Sequence, residues 1–319
     1  MQFHAVQLEE GRISIRPSFL RDLPEGFALV RVLLAGICNT DLELQRGYYG
    51  FSGVPGHEFV GEVVEAGDKA LLGKRVVGEI NLACGVCAWC ARGLGRHCPS
   101  RTVLGIVRHP GAFSEFLTLP ERNLHLVPDS ISSEAAVFTE PLAAACEILD
   151  QVAIPKGSRV AVLGDGKLGL FVAQVLQLNG LQVHQFGRHA AKLQLASVVG
   201  VTTEIIREHM PVAEYEWVVD ATGSSAGLQT AVQMVQPRGT VILKSTVHGE
   251  VPLNTAPVIV NEITLIGSRC GRFEPALELL QKRALNVESM IAARFPLTSA
   301  KAAFARAAER GVLKVLLTT

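Results

Sequence analysis

Residues 160–169 read VAVLGDGKLG, and the fold of the chain follows from how that stretch is parsed. Four apolar residues, Val160 to Leu163, run straight into glycines at 164, 166 and 169, the G-x-G-x-x-G spacing, and residues 167–177 continue at helical period. Strand, tight turn and helix start therefore fall within one short segment. The three glycines have separable roles: Gly164 makes the turn, Gly166 lets a pyrophosphate approach the backbone, and Gly169 lets helix and strand pack closely. With Lys167 and Leu168 between the last two glycines, a diphosphate is expected on the free N–H groups and positive dipole end of the helix. Glycines recur in ordinary turns, so the spacing alone leaves a bare structural turn open. The strand before it, the helix after it and the strands downstream favour a dinucleotide site.

Working outward, the residues after the loop alternate. Strands are expected at 159–163, 181–186, 216–220, 240–243 and 263–266, with helical patterns at 168–178, 190–198 and 225–235 between them. Such repetition predicts a parallel sheet with right-handed crossovers. Upstream the chain reads as β: 5–8 and 13–15 flank a turn at Glu9, Glu10 and Gly11, and short strands follow at 28–34, 59–64, 75–80 and 112–119. That pattern predicts a compact β-rich domain. Ser132 or Ser133 can cap a helix over 134–151, which Pro141 must kink or divide. After Gly267, helices at 274–283 and 299–310 and a strand at 313–317 do not extend the alternating series and could return to the first domain.

A chain of 319 residues that is 48% hydrophobic has material for two cores. Lys plus Arg and Asp plus Glu both number 30, and no basic run suggests a nucleic acid or an anionic membrane. A small-molecule partner is expected. No apolar stretch reaches the ~20 residues that span a bilayer, and residues 1–10 lack the shape of a secretion signal, so a cytoplasmic location is expected. In that setting four crowded cysteines point to metal before disulfides.

Those cysteines, Cys84, Cys87, Cys90 and Cys98, follow C-x2-C-x2-C-x7-C. Four thiolates from one loop can enclose a tetrahedral zinc ion, and a closed shell leaves no position for substrate, so this ion is expected to be structural. Spacing alone does not exclude an iron–sulfur cluster. A second set is scattered: Cys38 in GICNTD (36–41), His57 and Glu58 in VPGHE (54–58), and Glu140 in FTEPL (138–142). Singly, each reads as packing or as an ordinary hydrogen-bonded side chain. Beside a structural-zinc lobe and a dinucleotide loop they read together as an open zinc site of sulfur, imidazole and carboxylate with a vacant position. Asp41 is a candidate acceptor for the second nitrogen of His57.

GICNTD, GHE (56–58), GEVVEAG (61–67), the four-cysteine lobe, EPLA (140–143), the glycine loop and DATG (220–223) together resemble a zinc-containing medium-chain dehydrogenase/reductase, of the alcohol, polyol and glucose dehydrogenase kind. The likeness runs along nearly the whole chain. It implies an α/β fold in which a β-rich GroES-like catalytic domain (1–141, with the zinc lobe at 81–100) is joined to a doubly wound Rossmann domain (142–267), and residues 268–319 return to the catalytic domain. It also implies two zinc ions per chain, hydride transfer between an alcohol, polyol or sugar and NAD(P), and a homodimer or homotetramer. Thr40 stands where relatives carry a proton-passing Ser or Thr, and Glu43 where many carry a histidine that ends the proton path. Glu140 replaces a cysteine of the alcohol dehydrogenases proper, so either Glu58 or Glu140 can complete the catalytic zinc shell. Lys314 resembles the family's basic residue that reaches either the pyrophosphate or the carboxylate after the zinc histidine.

The cofactor's 2′ position is read at the end of the second strand of the alternating region. NAD sites place an acid there, whereas NADP sites avoid it and offer a cation. Here Gly187 occupies the position with Arg188 beside it, which favours NADP; with Arg188 lying along the adenine face, NAD serves as well. Two alternatives on the same fold, a non-catalytic NADPH-binding redox sensor and a zinc-free quinone or enoyl reductase, are expected to lack Cys38, His57 or the carboxylates.

Overall fold

A computed structural model of the chain describes residues 1–20, 22–246 and 250–319. Two compact units are present, one formed by Met1–Glu140, Ala276–Arg283 and Val287–Thr319 and the other by Pro141–Pro275 and Ala284–Asn286. The first begins with a hairpin of β1 (Gln2–Glu9) and β2 (Arg12–Phe19), longer at both ends than its apolar centre predicts. Then come β3 (Phe27–Ile37), helix α1 (Asn39–Gln45), β4 (Glu58–Glu65) and β5 (Arg75–Gly78). A small lobe follows, with β6 (Asn81–Leu82), α2 (Ala88–Ala91), β7 (Thr102–Leu104) and β8 (Arg108–His109), and the chain rejoins the main sheet in β9 (Phe116–Pro120) and β10 (Leu124–Leu126).

The helix expected over 134–151 is two helices, α3 (Ser133–Ala136) and α4 (Thr139–Gln151). The break precedes Pro141 and is not caused by it: Thr139 Oγ1 donates to the carbonyl of Ala136 at 2.7 Å, closing the first helix. Pro141 is the third residue of α4, where a backbone N–H has no intrahelical partner to lose.

The second unit holds a six-stranded, wholly parallel sheet. In chain order its elements are β11 (Arg159–Leu163), α5 (Lys167–Leu178), β12 (Gln182–Gly187), α6 (Ala190–Ser197), β13 (Thr202–Ile205), β14 (Tyr215–Asp220), α7 (Ser225–Met234), β15 (Val235–Leu243), α8 (Ala256–Val260) and β16 (Thr264–Gly267). The strand order β13-β12-β11-β14-β15-β16 places β11 and β14 at the centre, where the direction of winding reverses. β11 is apolar because it is buried from Val160 onward, and residues 169–176 of α5 are all buried, which is why that helix reads as a nearly continuous apolar run.

After α9 (Phe273–Gln281) the chain adds β17 (Ile291–Pro296), α10 (Ala300–Ala307) and β18 (Lys314–Thr318). β17 and β18 belong to the sheet of the first unit, whose order is β10-β5-β4-β3-β18-β17 with β9 also on β3. One edge of β3 is therefore shared: Phe27–Arg31 pairs with β9 and Leu34–Ile37 with β18, while β4 lies along the other edge. That pairing brings the last strand of the chain beside the end of β3.

Candidate active site

The end of β3 and the start of β4 lie side by side, with Gly36 opposite Glu58 in an antiparallel register. Cys38 follows two residues after Gly36, and His57 immediately precedes Glu58, so three side chains distant in sequence meet at one sheet end. The thiol of Cys38, a ring nitrogen of His57 and a carboxylate oxygen of Glu58 all lie within 4.8 Å of one another. Cys38 is the N-cap of α1, with extended backbone (φ −99°, ψ 164°), and its N–H donates to Asp41 Oδ2 at 2.8 Å. Asp41 is fully buried, and its other oxygen stands 3.4 Å from His57 Nδ1. That is ion-pair range without hydrogen-bond geometry, since neither atom has a hydrogen-bond partner among the described residues.

Burial opposes the protonated form of His57, yet the Asp41 carboxylate and then the Cys38 thiol outweigh it and hold the imidazole well above its ordinary 6.5. The surroundings thus favour positive charge at this ring, which a proton or a metal ion can supply. Glu58 is 1% exposed; Oε2 accepts from the ammonium of Lys314, and Oε1 is buried without a hydrogen-bond partner among the described residues. An orphaned carboxylate oxygen beside a thiol and an imidazole fits a divalent ion of zinc's preferences, and with three protein donors a fourth position is left for another ligand. Gly36 makes the arrangement possible: a Cβ there would stand 2.7 Å from Glu58 Oε2, 2.8 Å from Val137 Cγ1 and 3.2 Å from Lys314 Cδ.

Lys314 requires a correction. It was a candidate for the pyrophosphate, but its side chain is fully buried, its ammonium is bonded to Glu58, and Nζ lies 5.5 Å from the centre of the Phe138 ring. A cation with no exposed surface offers no donor to a dinucleotide, and the other alternative, the carboxylate after the histidine, describes it. Thr40 lies one residue into α1 with Oγ1 4.0 Å from Cys38 Sγ. Glu43 is on the same helix, paired with the exposed Arg46 at 2.6 Å. Glu140 stands in the first turn of α4 and is not a member of the converging trio.

The four lobe cysteines also converge. Cys87 caps α2, Cys90 lies on it, and Cys98 follows a short turn at Gly95–His97. Their sulfurs are 3.5 Å (Cys87 to Cys90), 3.8 Å (Cys87 to Cys98) and 3.9 Å (Cys84 to Cys90) apart. A tetrahedron with Zn–S of ~2.3 Å has edges of about 3.8 Å, whereas a disulfide needs about 2.05 Å. Backbone N–H groups, first of Val86 and then of Cys87, lower the Cys84 thiol to about 6, so it ionises readily. Replacing Cys84 by serine is expected to remove one zinc ion per chain and lower the thermal midpoint by roughly 5 °C or more, checked by metal analysis and calorimetry.

In the second unit Gly164 takes φ +112°, a conformation favouring glycine, and a Cβ at Gly169 would stand 2.4 Å from the Gly164 carbonyl oxygen. Gly166 is the N-cap of α5 and has no side chain with which to cap it, and a Cβ at Gly166 would meet nothing within 4 Å. The start of α5 at Gly166 thus lies beside open space at the positive end of the helix, which fits a diphosphate. Asp220 ends β14 and accepts from the N–H of Thr222 at 3.0 Å and from its hydroxyl at 2.7 Å, pinning the DATG turn.

Residues 24–129 match the model of the alcohol dehydrogenase GroES-like domain, and residues 168–282 that of the zinc-binding dehydrogenase. D-arabitol-phosphate dehydrogenase of Enterococcus avium is 30% identical over 91% of this chain and 89% of its own length. D-altritol 5-dehydrogenase of Agrobacterium fabrum is 30% identical over 92% of this chain and 93% of its own. The chain belongs to the zinc-type medium-chain dehydrogenase/reductase family. A crystal structure of a zinc-binding dehydrogenase from Sinorhizobium meliloti bound to NADP superposes with a TM-score of 0.90 at 28% identity, covering all of both chains.

As a member of this family the chain has the GroES-like and Rossmann-like α/β architecture, and it is an oxidoreductase. No helix among the described residues is long and apolar enough to cross a membrane. One residue of the loop escaped the sequence reading: Asp165, between the first two glycines, is 8% exposed and turns its carboxylate toward the end of β12. The available signal was an acid inside the glycine loop together with a glycine at 187.

Proposed function

We propose that the protein interconverts a secondary hydroxyl of a polyol or sugar and the corresponding carbonyl, using zinc at Cys38, His57 and Glu58 and a nicotinamide dinucleotide as hydride partner. The observation that carries this reading is the trio of half-buried Cys38 with buried His57 and Glu58, with an orphaned Glu58 oxygen and no fourth protein donor in the group among the described residues. The relatives named for arabitol phosphate and altritol support the substrate class. Arg188, exposed at the end of β12, and the NADP-bound relative support NADP as one partner.

Bound at the trio, a divalent ion supplies Lewis acidity toward a substrate oxygen, and the dinucleotide supplies the hydride acceptor. The chain's own residues do the rest. Asp41 fixes the Cys38 backbone through one oxygen and faces His57 Nδ1 with the other, so the ring's remaining nitrogen is turned toward the trio. Lys314 holds one oxygen of Glu58, leaving the second oxygen as a donor. Thr40, beside the Cys38 sulfur, is placed to take the proton of a bound hydroxyl and hand it on. A redox sensor or a zinc-free reductase needs none of these supports.

Assaying polyols, sugars, polyol phosphates and simple alcohols with both dinucleotides tests the proposal. Oxidation of polyols or their phosphates, abolished by chelation and restored by zinc, is expected. Turnover that survives complete removal of metal, or is confined to quinones or enones, would contradict it.

A further inference from the structure

The absence of an acid at Gly187 is not an absence of negative charge. Asp165 Oδ2 accepts from the N–H of Arg188 at 2.8 Å and of His189 at 2.7 Å, and stands 2.9 Å from His189 Nδ1, which donates when protonated. A Cβ on residue 187 would stand 2.6 Å from Asp165 Cβ and 2.9 Å from Oδ2, so Gly187 is the residue that admits this side chain. The carboxylate therefore occupies the place an acid at 187 would fill, reached from the loop instead of the strand. Its hydrogen bonds to His189 and to the two N–H groups outweigh burial and hold it below the ordinary carboxylate range. All three donors are on Oδ2; Oδ1 accepts no hydrogen bond from the described residues.

We infer that Asp165 is a specificity-determining residue: Oδ1 receives the adenosine ribose hydroxyls, so that Asp165 and Arg188 in opposition decide between a free 2′-hydroxyl and a 2′-phosphate. Two backbone N–H groups that could have cradled a phosphate are already satisfied by an internal anion. A 2′-hydroxyl donates to Oδ1, whereas a 2′-phosphate meets a carboxylate and depends on the Arg188 cation to offset it. This rests on the reading of the glycine loop as a dinucleotide site.

Calorimetric titration of the zinc-loaded protein with ADP-ribose and with 2′-phospho-ADP-ribose tests it through binding alone. Asp165→Asn keeps an oxygen for the two N–H groups but removes the charge and offers an amide donor. It is expected to weaken ADP-ribose roughly tenfold to a hundredfold while 2′-phospho-ADP-ribose is held or tightened. Arg188→Ala is expected to do the reverse. The double variant D165G/G187D, which returns the acid to the strand in the space the loop side chain vacates, is expected to recover ADP-ribose binding. Equal weakening of both probes by Asp165→Asn, or no change in either, would overturn the inference while leaving the dinucleotide site standing. Failure of the unaltered protein to bind either probe would overturn the dinucleotide reading itself.

Discussion

Cys38→Ser is expected to lower kcat by on the order of a thousandfold or more while dinucleotide affinity stays within about twofold. The thiol is the only sulfur in the trio, and its backbone N–H and extended conformation are fixed by Asp41, so the substitution leaves the start of α1 in place. A serine hydroxyl is a harder and weaker donor than a cysteine sulfur for an ion of zinc's preferences, so the site loses its soft donor. The glycine loop lies in the other unit, on β11 and α5, and shares no residue with the trio. Steady-state kinetics and quenching of protein fluorescence by the reduced dinucleotide separate the two effects. Loss of dinucleotide binding in parallel with kcat would show that the thiol supports the fold and not the chemistry.

Lys314→Met carries the largest expected cost in stability. Lys314 and Glu58 are both fully buried at their side chains, and removing the ammonium strands a carboxylate away from water, which costs about 3–5 kcal/mol. Methionine fills the space of the stem, so the loss is electrostatic and not a cavity. Making Glu58→Gln in the same protein removes the stranded charge, and the double variant is expected to recover a large part of that stability in urea unfolding followed by circular dichroism. Additive losses in the double variant would show that Lys314 contributes by packing against Phe138 and not through Glu58. Both single variants are expected to impair turnover, because Lys314 leaves only one Glu58 oxygen free for a metal ion.

The parts of this fold legible in the sequence are those where the backbone itself restricts the residue. The loop at 160–169 is one: a turn at φ +112° and an approach of 2.4 Å between a would-be side chain and a carbonyl leave glycine alone at 164 and 169. The lobe is another, because four thiols within fifteen residues must share a locality. The open site was legible only as a combination, since nothing in 36–41 or 54–58 states that β3 and β4 are neighbours. The role of Lys314 depends on the pairing of β18 with β3 and on a side-chain contact with Glu58 across 256 residues, which no local pattern encodes.

Other features were hidden by their surroundings. β13, with sequence TTEI, is half exposed at the sheet edge, so it lacks the apolar run that marks its neighbours. β17 alternates between half-buried and exposed and is recruited through parallel pairing with β18 rather than by its own composition. Asp165 carries no local signal because its partners, at 188 and 189, lie just past the end of the next strand.

Counting zinc by native mass spectrometry, in the unaltered protein and in Cys38→Ser, tests the central claim most directly. Two ions per chain in the first and one in the second, with the remaining ion lost only when Cys84 is also replaced, is the result expected. A single ion in the unaltered protein, or two retained without the Cys38 thiol, would contradict a metal site built from Cys38, His57 and Glu58.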